Sequence, residues 1–282
     1  MEKPQKMKYK IVTTFPAKHY ESYGKRMIET FRKNWDSDVE LHVYHEGIIP
    51  QEFASVKYID LLESCPDLVA FKEHWKDEPV ANGMPDAQSN GLLRPANIKD
   101  RYKDGHCYLW DAVRFSHKVY CQAHAALQGD ADVMFWLDAD TVTFRPVGKA
   151  YENFGKAGPE YLSYLGRTTY TECGFISFDL RNQYNTEFMN RYKAMYDTND
   201  LFTLHQWTDC HAFDHVRTQM EAENKIINHN MNVHGGKGHP FVNCILGEYM
   251  DHLKGARKIE GSSRRKDVID TRGIEYWEKV KK

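Results

Sequence analysis

The chain of 282 residues has no Cys-x-x-Cys pair; its six cysteines (Cys65, Cys107, Cys121, Cys173, Cys210 and Cys244) are scattered. That spacing excludes a zinc knuckle, argues against a disulfide framework and favours a reducing compartment. No window approaches the roughly 18 apolar residues of a membrane span, and no Asn-x-Ser/Thr acceptor occurs. Residues 1–10 are polar and lysine-rich with no apolar stretch behind them, so no signal peptide and a cytoplasmic location are expected. A formal net charge of −2 supplies no global attraction to nucleic acid or anionic membrane, and neither is expected as a partner. The first turn lacks Gly-x-Gly-x-x-Gly, which removes the dinucleotide fingerprint. Internal repeats and low-complexity blocks are absent as well.

What is present reads as one large α/β domain over residues 1–260, followed by a polar tail over 261–282 with a short helix near Trp277. The aromatic content is high, with 17 Tyr, 14 Phe and 6 Trp, and serves first to fill a core. Residues 10–14 read as a first strand. Tyr20, Tyr23, Met27 and Phe31 follow at helical spacing. Val39, Leu41 and Val43 then alternate with polar residues, completing a strand–helix–strand unit. Residues 59–75 read as helix interrupted at Pro66. The polar segment 76–105 reads as an insertion that either covers a bound ligand or forms a surface loop. Residues 108–127 form a helix with an apolar stripe of Leu109, Val113, Val119, Tyr120, Ala123 and Leu127. Strands are expected at 161–165 and 174–179, and helices at 184–196, after Trp207-Thr208-Asp209, and at 242–251. Thr208 or Asp209 would cap the second of these helices.

The chemistry concentrates where Val133, Met134, Phe135, Trp136 and Leu137 run into Asp138-Ala139-Asp140. Five continuous apolar residues read as a strand buried on both faces of a mostly parallel sheet. Ligands bind beyond the carboxyl ends of such strands, where Asp138 and Asp140 fall. Residues two apart on a strand share a face, so the two carboxylates can share one hard cation, Mg²⁺ or Mn²⁺. The helix leading into this strand carries Asp111, Arg114 and Lys118, spaced three and four apart on one face. Glu172-Cys173-Gly174 opens a later strand, and a glycine there permits close approach of a ligand or neighbouring backbone. The last third is rich in histidine, including His229, His234, His239 and His252.

In their order along the chain, these pieces resemble the GT-A fold glycosyltransferases. The nearest resemblance is to the glycogenin-like, mostly retaining enzymes that use a nucleotide sugar and Mn²⁺. Their His-x-x-Gly-x-x-Lys pattern occurs here as His252, Gly255 and Lys258, followed by Ile259-Glu260 where those enzymes have Pro-Trp. The resemblance implies a GT-A (Rossmann-like) single domain with a mixed, mostly parallel central sheet flanked by helices. It also implies that Asp138, Asp140 and His252 hold Mn²⁺ (or Mg²⁺) and that Lys258, with Gly255, Ala139, Thr13 and Thr14, meets the nucleotide. A second resemblance is to initiating mannosyltransferases and glucosylating toxins of the same fold, which carry Asp-x-x-Arg before the acidic strand. It implies donor-sugar contacts from Asp111, Arg114, Lys118 and Gly174. Here Asp132-Val-Met-Phe135 replaces their Gly-Gly-x-Tyr, and Glu172-Cys173-Gly174 their Asn-x-Gly.

The expected activity is hexosyl transfer from a nucleotide diphosphate, a UDP-sugar, to an acceptor that is a glycan, a protein or a small molecule. Asp209 and Glu172 are the candidate catalytic carboxylates, as base or as stabiliser of oxocarbenium character. His234 and His239 touch phosphate or acceptor, or are surface residues. Two other activities fit the same scaffold: a sugar-phosphate nucleotidyltransferase, whose Gly-rich N-terminal loop is replaced here by Thr13-Thr14-Phe15-Pro16, and a non-catalytic nucleotide-sugar or glycan-binding protein.

Overall fold

A computed structural model describes residues 6–85, 89, 91–93, 102–103, 105–155 and 161–269. Its centre is a seven-stranded sheet. The strands are β1 (Tyr9–Pro16), β2 (Val39–Glu46), β3 (Val56–Asp60), β4 (Val133–Leu137), β6 (Tyr161–Leu165), β7 (Glu172–Asp179) and β8 (Ile227–Asn230). The spatial order is β8-β6-β7-β4-β1-β2-β3. Four neighbouring pairs are parallel, and β7 runs antiparallel to both β4 and β6. This is the mixed, mostly parallel α/β sheet expected from the sequence.

Every residue of β4 is buried, as its unbroken apolar run requires. Alternate side chains feed two cores. Met134 and Trp136 join Val12, Ile176 and Phe178 on one face, where Tyr120, Phe188, Tyr192 and Phe213 cover them. Phe135 and Leu137 join Ile11, Leu41 and Phe175 on the other, against Met27, Ile28 and Phe31 of α1 (Lys25–Asn34). Full burial of such side chains is worth about 1.5–3 kcal/mol each.

The helix expected at 108–127 begins later, as α3 (Ala112–Ala126). Asp111 is its N-cap: Oδ1 accepts the Arg114 amide at 3.1 Å, and Oδ2 lies 2.7 Å from His106 Nε2. Its carboxylate therefore belongs to the cap rather than to a shared helix face with Arg114 and Lys118. Leu127, placed on the apolar stripe, is 44% exposed at the helix end. Ile59 lies in β3, because Leu41–His45 of β2 offers it a parallel partner. A single helical turn follows at Leu61–Ser64, and after the break at Cys65, at the expected interruption, the chain continues as α2 (Pro66–Trp75). Helices α4 (Gln183–Asp197) and α5 (Asp209–Ala222) complete the layer. Thr208 stands before α5, but its hydroxyl meets His211 Nδ1 at 2.8 Å instead of a helix amide. Strand β8 has no apolar run to announce it and forms by parallel pairing with β6.

The largest departure is at residues 242–251, expected as helix. After a short turn at Ile245–Glu248 the chain extends as β9 (Met250–His252), which pairs antiparallel with β5 (Thr141–Thr143). The pairing partner overrides the local preference. Packing also continues past residue 260: Val268 is buried, and Asp251 accepts from the amide and hydroxyl of buried Ser263, both at 2.7 Å. Parts of the 76–105 insertion (86–88, 90, 94–101 and 104) and the helix expected near Trp277 lie outside the described residues.

Candidate active site

Strand register builds the site. Leu137 at the end of β4 opposes Phe175 of β7, and the Asp138 amide donates to Gly174 O at 3.0 Å. In the small sheet, His252 opposes Thr141, and the Leu253 amide donates to Asp140 O at 2.9 Å. The imidazole is thereby delivered to the acidic pair. His252 Nε2 lies 2.9 Å from Asp140 Oδ1 and 3.4 Å from Asp138 Oδ2. One ligand atom from each of the three residues lies within 4.8 Å of the others. Carboxylate and imidazole ligands about 2.0–2.2 Å from a divalent ion have this spacing, so the donor set fits a hard cation.

Gly174 explains itself at the same point. A Cβ there would run into the His252 ring; the close approach that a strand glycine permits is made by a side chain of this protein. The other ring nitrogen, Nδ1, faces Glu172 Oε1 at 3.3 Å. Glu172 is 1% exposed, pairs with Arg167, and lies 3.5 Å from Lys254 Nζ. His239 stacks edge-on to His252 at 5.7 Å, and with Glu172 and His252 makes a second group able to hold an ion. Burial above all, then the neighbouring His252 and cationic side chains, pushes the His239 pKa far down, so this imidazole is neutral.

Lys118 is the hub of the opposite side. Its ammonium reaches Asp138 Oδ1 at 2.9 Å, Asp209 Oδ2 at 2.9 Å and Cys173 O at 2.5 Å. Three protons meet three acceptors, so Lys118 fixes the two carboxylates and keeps no donor for a sugar hydroxyl. Burial opposes its charge, yet Asp138 and Asp209 hold its pKa well above the ordinary lysine value. The same pairing acts on Asp209: burial favours the neutral acid, but Lys118 outweighs it and keeps the carboxylate ionised. Asp140 behaves alike, with His252 and Lys258 overcoming burial to depress its pKa. Cys173 and Cys210 flank Asp209 closely enough to form a third group. Burial raises the Cys173 pKa strongly, and a neutral thiol is a poor ligand.

The remaining residues fall around this centre. Lys258 Nζ lies 3.1 Å from Asp140 Oδ2 and 4.3 Å above the Tyr23 ring. Gly255 takes φ +64° in the turn before Lys258, a conformation that favours glycine. Ala139 is buried between the two aspartates. Val12 opposes Trp136, so Thr13 and Thr14 follow beside the end of β4; Thr13 is fully buried, and the Thr14 hydroxyl donates to Tyr44 O at 2.9 Å. Arg114 is exposed on the first turn of α3 and His234 is exposed in its loop. Trp136, which donates from Nε1 to Asp138 Oδ1 at 2.7 Å, and Tyr23, Arg167 and Lys254 carry no motif and were not foreseen.

No family model matches the chain, and no curated protein matches it in sequence. Among solved structures it is similar to mouse xyloside xylosyltransferase 1 in its apo form, at TM-score 0.48 and 11% identity over 80% of this chain and 85% of that one. It is also similar to an active-site mutant of LgtC, at TM-score 0.40 and 12% identity over 71% and 68% of the two chains. A third similarity is to the glycosyltransferase GlyE of Streptococcus pneumoniae TIGR4, at TM-score 0.40 and 9% identity over 79% of this chain and 45% of that one. These overlaps are partial, and the chemistry of the cleft stands on its own side chains.

Proposed function

We propose that this protein is a metal-dependent glycosyltransferase that moves a hexose from a UDP-sugar to an acceptor with retention of configuration. The observation that carries the reading is the convergence of Asp138, Asp140 and His252 Nε2 at the exit of a buried strand. Asp138, Asp140 and His252 would hold Mn²⁺ or Mg²⁺, which when bound supplies Lewis-acid stabilisation to a departing diphosphate. Lys258, beside Asp140, adds a fixed positive charge for the same oxygens. Tyr23 backs that lysine from below.

Asp209, held ionised by Lys118, suits electrostatic stabilisation of positive character at the anomeric carbon. General-base work is a poorer fit, because that needs a pKa near the working pH. Glu172 is the second candidate carboxylate, on the far side of His252. Arg114, exposed on the first turn of α3, would contact the donor. The family resemblance in sequence supports the same reading.

The test is UDP release from a panel of UDP-sugars with Mn²⁺, with and without acceptor sugars. Wild-type protein should release UDP from at least one donor, and Asp140→Ala should release none while keeping its circular dichroism spectrum. Full turnover by Asp140→Ala removes the metal assignment.

A further inference from the structure

On the Nδ1 side of His252, away from the acidic pair, a cavity of about 390 Å³ opens between the 167–169 loop, the 236–239 loop and the turn after β9. Its walls carry Arg167, Lys254 and Arg257, with Asp267 the one carboxylate among them. Arg167 engages Glu172 through Nη2 alone, leaving further guanidinium N–H groups without a hydrogen-bond partner among the described residues. Arg257 is braced by Lys254 O at 3.1 Å and faces Asp267 at 3.7 Å. Lys254 is half-exposed, with its charge turned to the cavity and to Glu172. The wall also includes His239, which is 5% exposed and has no hydrogen-bond partner at either ring nitrogen among the described residues. Thr168 and Thr169 add two hydroxyls at the rim.

Counting Glu172 and Asp267 against the three cations leaves the cleft one positive charge in excess. An apolar ligand would displace water from these donors and leave several of them unsatisfied. A phosphate, with three charge-bearing acceptor oxygens, answers guanidinium, ammonium and hydroxyl donors together.

We propose that this cleft is an anion subsite for a phosphate group carried by the acceptor. It rests on the transferase reading, because the donor's diphosphate already has its own lysine: Lys258 stands on Asp140, whereas Arg167 and Lys254 stand on Glu172. The two cation sets flank opposite nitrogens of His252, which separates a donor anion from an acceptor anion by one imidazole.

The first measurement is calorimetric titration of inorganic phosphate into the full-length protein at constant ionic strength, with no divalent ion added. Saturable binding at one site is expected, weakened about ten-fold or more in Lys254→Gln and reduced in Thr168→Val; both changes are at exposed positions that leave the fold intact. No saturable binding, or binding indifferent to both substitutions, overturns the subsite. The second measurement is phosphate inhibition of Mn²⁺-dependent UDP release. Inhibition that does not compete with the UDP-sugar, together with faster transfer to sugar phosphates than to the unphosphorylated sugars, is expected. Competition with the donor assigns the anion to the donor diphosphate and overturns the acceptor assignment. Loss of phosphate binding with UDP release intact sinks the subsite alone, whereas phosphate binding with no UDP release from any donor sinks the transferase reading and the acceptor assignment with it.

Discussion

At the scale of single residues, the metal assignment depends on one imidazole. His252 is 1% exposed and has Asp140, Asp138 and Glu172 around it. Replacing it with alanine removes one of three converging ligands, so Mn²⁺ affinity should fall about 10-fold or more. Calorimetric Mn²⁺ titration checks this, and an unchanged isotherm would remove His252 from the ligand set. Gly174→Ala is a more discriminating change, since it deletes no ligand. Its methyl group would enter the space of the His252 ring, and the expected result is weakened Mn²⁺ binding with the far-ultraviolet circular dichroism preserved. Both residues stood out in the sequence, His252 by its spacing to Lys258 and Gly174 by its place at a strand entrance. The reason Gly174 is needed did not, because the atom it makes room for lies 78 positions away in the chain.

Elements are tied together mainly by buried apolar faces, with a few charged links at their ends. Glu46 closes β2 by pairing with Lys72 of α2 and lying 3.0 Å from His117 Nδ1 of α3. The His117 hydrogen bond is the largest influence on its carboxyl; burial opposes it, and Lys72 helps bring the pKa down to about 2. An unfolded glutamate titrates near ~4.3. A depressed folded pKa means the contribution to stability is complete above that value and is lost as pH falls toward about 2. Glu46→Gln should therefore cost on the order of 1 kcal/mol at neutral pH, after solvent screening, and converge on wild type near the acid limit. Urea midpoints between pH 7 and 3 measure this; a constant gap across that range would contradict it. The helices and most strands were legible from periodicity. The extended β9 was not, because its conformation is imposed by pairing with β5.

For the whole molecule, the proposed ion should act as a fold stabiliser. Its ligands come from the end of β4 and from β9, which lie about a hundred residues apart in sequence. A ligand that binds only the folded state stabilises by about 2.7 kcal/mol at a hundred times its dissociation constant. Saturating Mn²⁺ should thus raise Tm by several degrees in wild type and leave Asp140→Ala unmoved. An equal rise in both would place the stabilising ion elsewhere.

The local pattern alone determined the two-sided burial of β4, the acidic pair at its exit and the helix that precedes it, because runs, alternation and helical stripes are properties of neighbouring residues. Only the tertiary structure decided that Asp111 is a cap, that Lys118 is consumed between Asp138 and Asp209, and that Arg167, Lys254 and His239 line one cleft, the two cations standing on buried Glu172. Those outcomes depend on strand register and on which donors are already satisfied. Such quantities arise between segments far apart in the chain, where no spacing along the sequence records them.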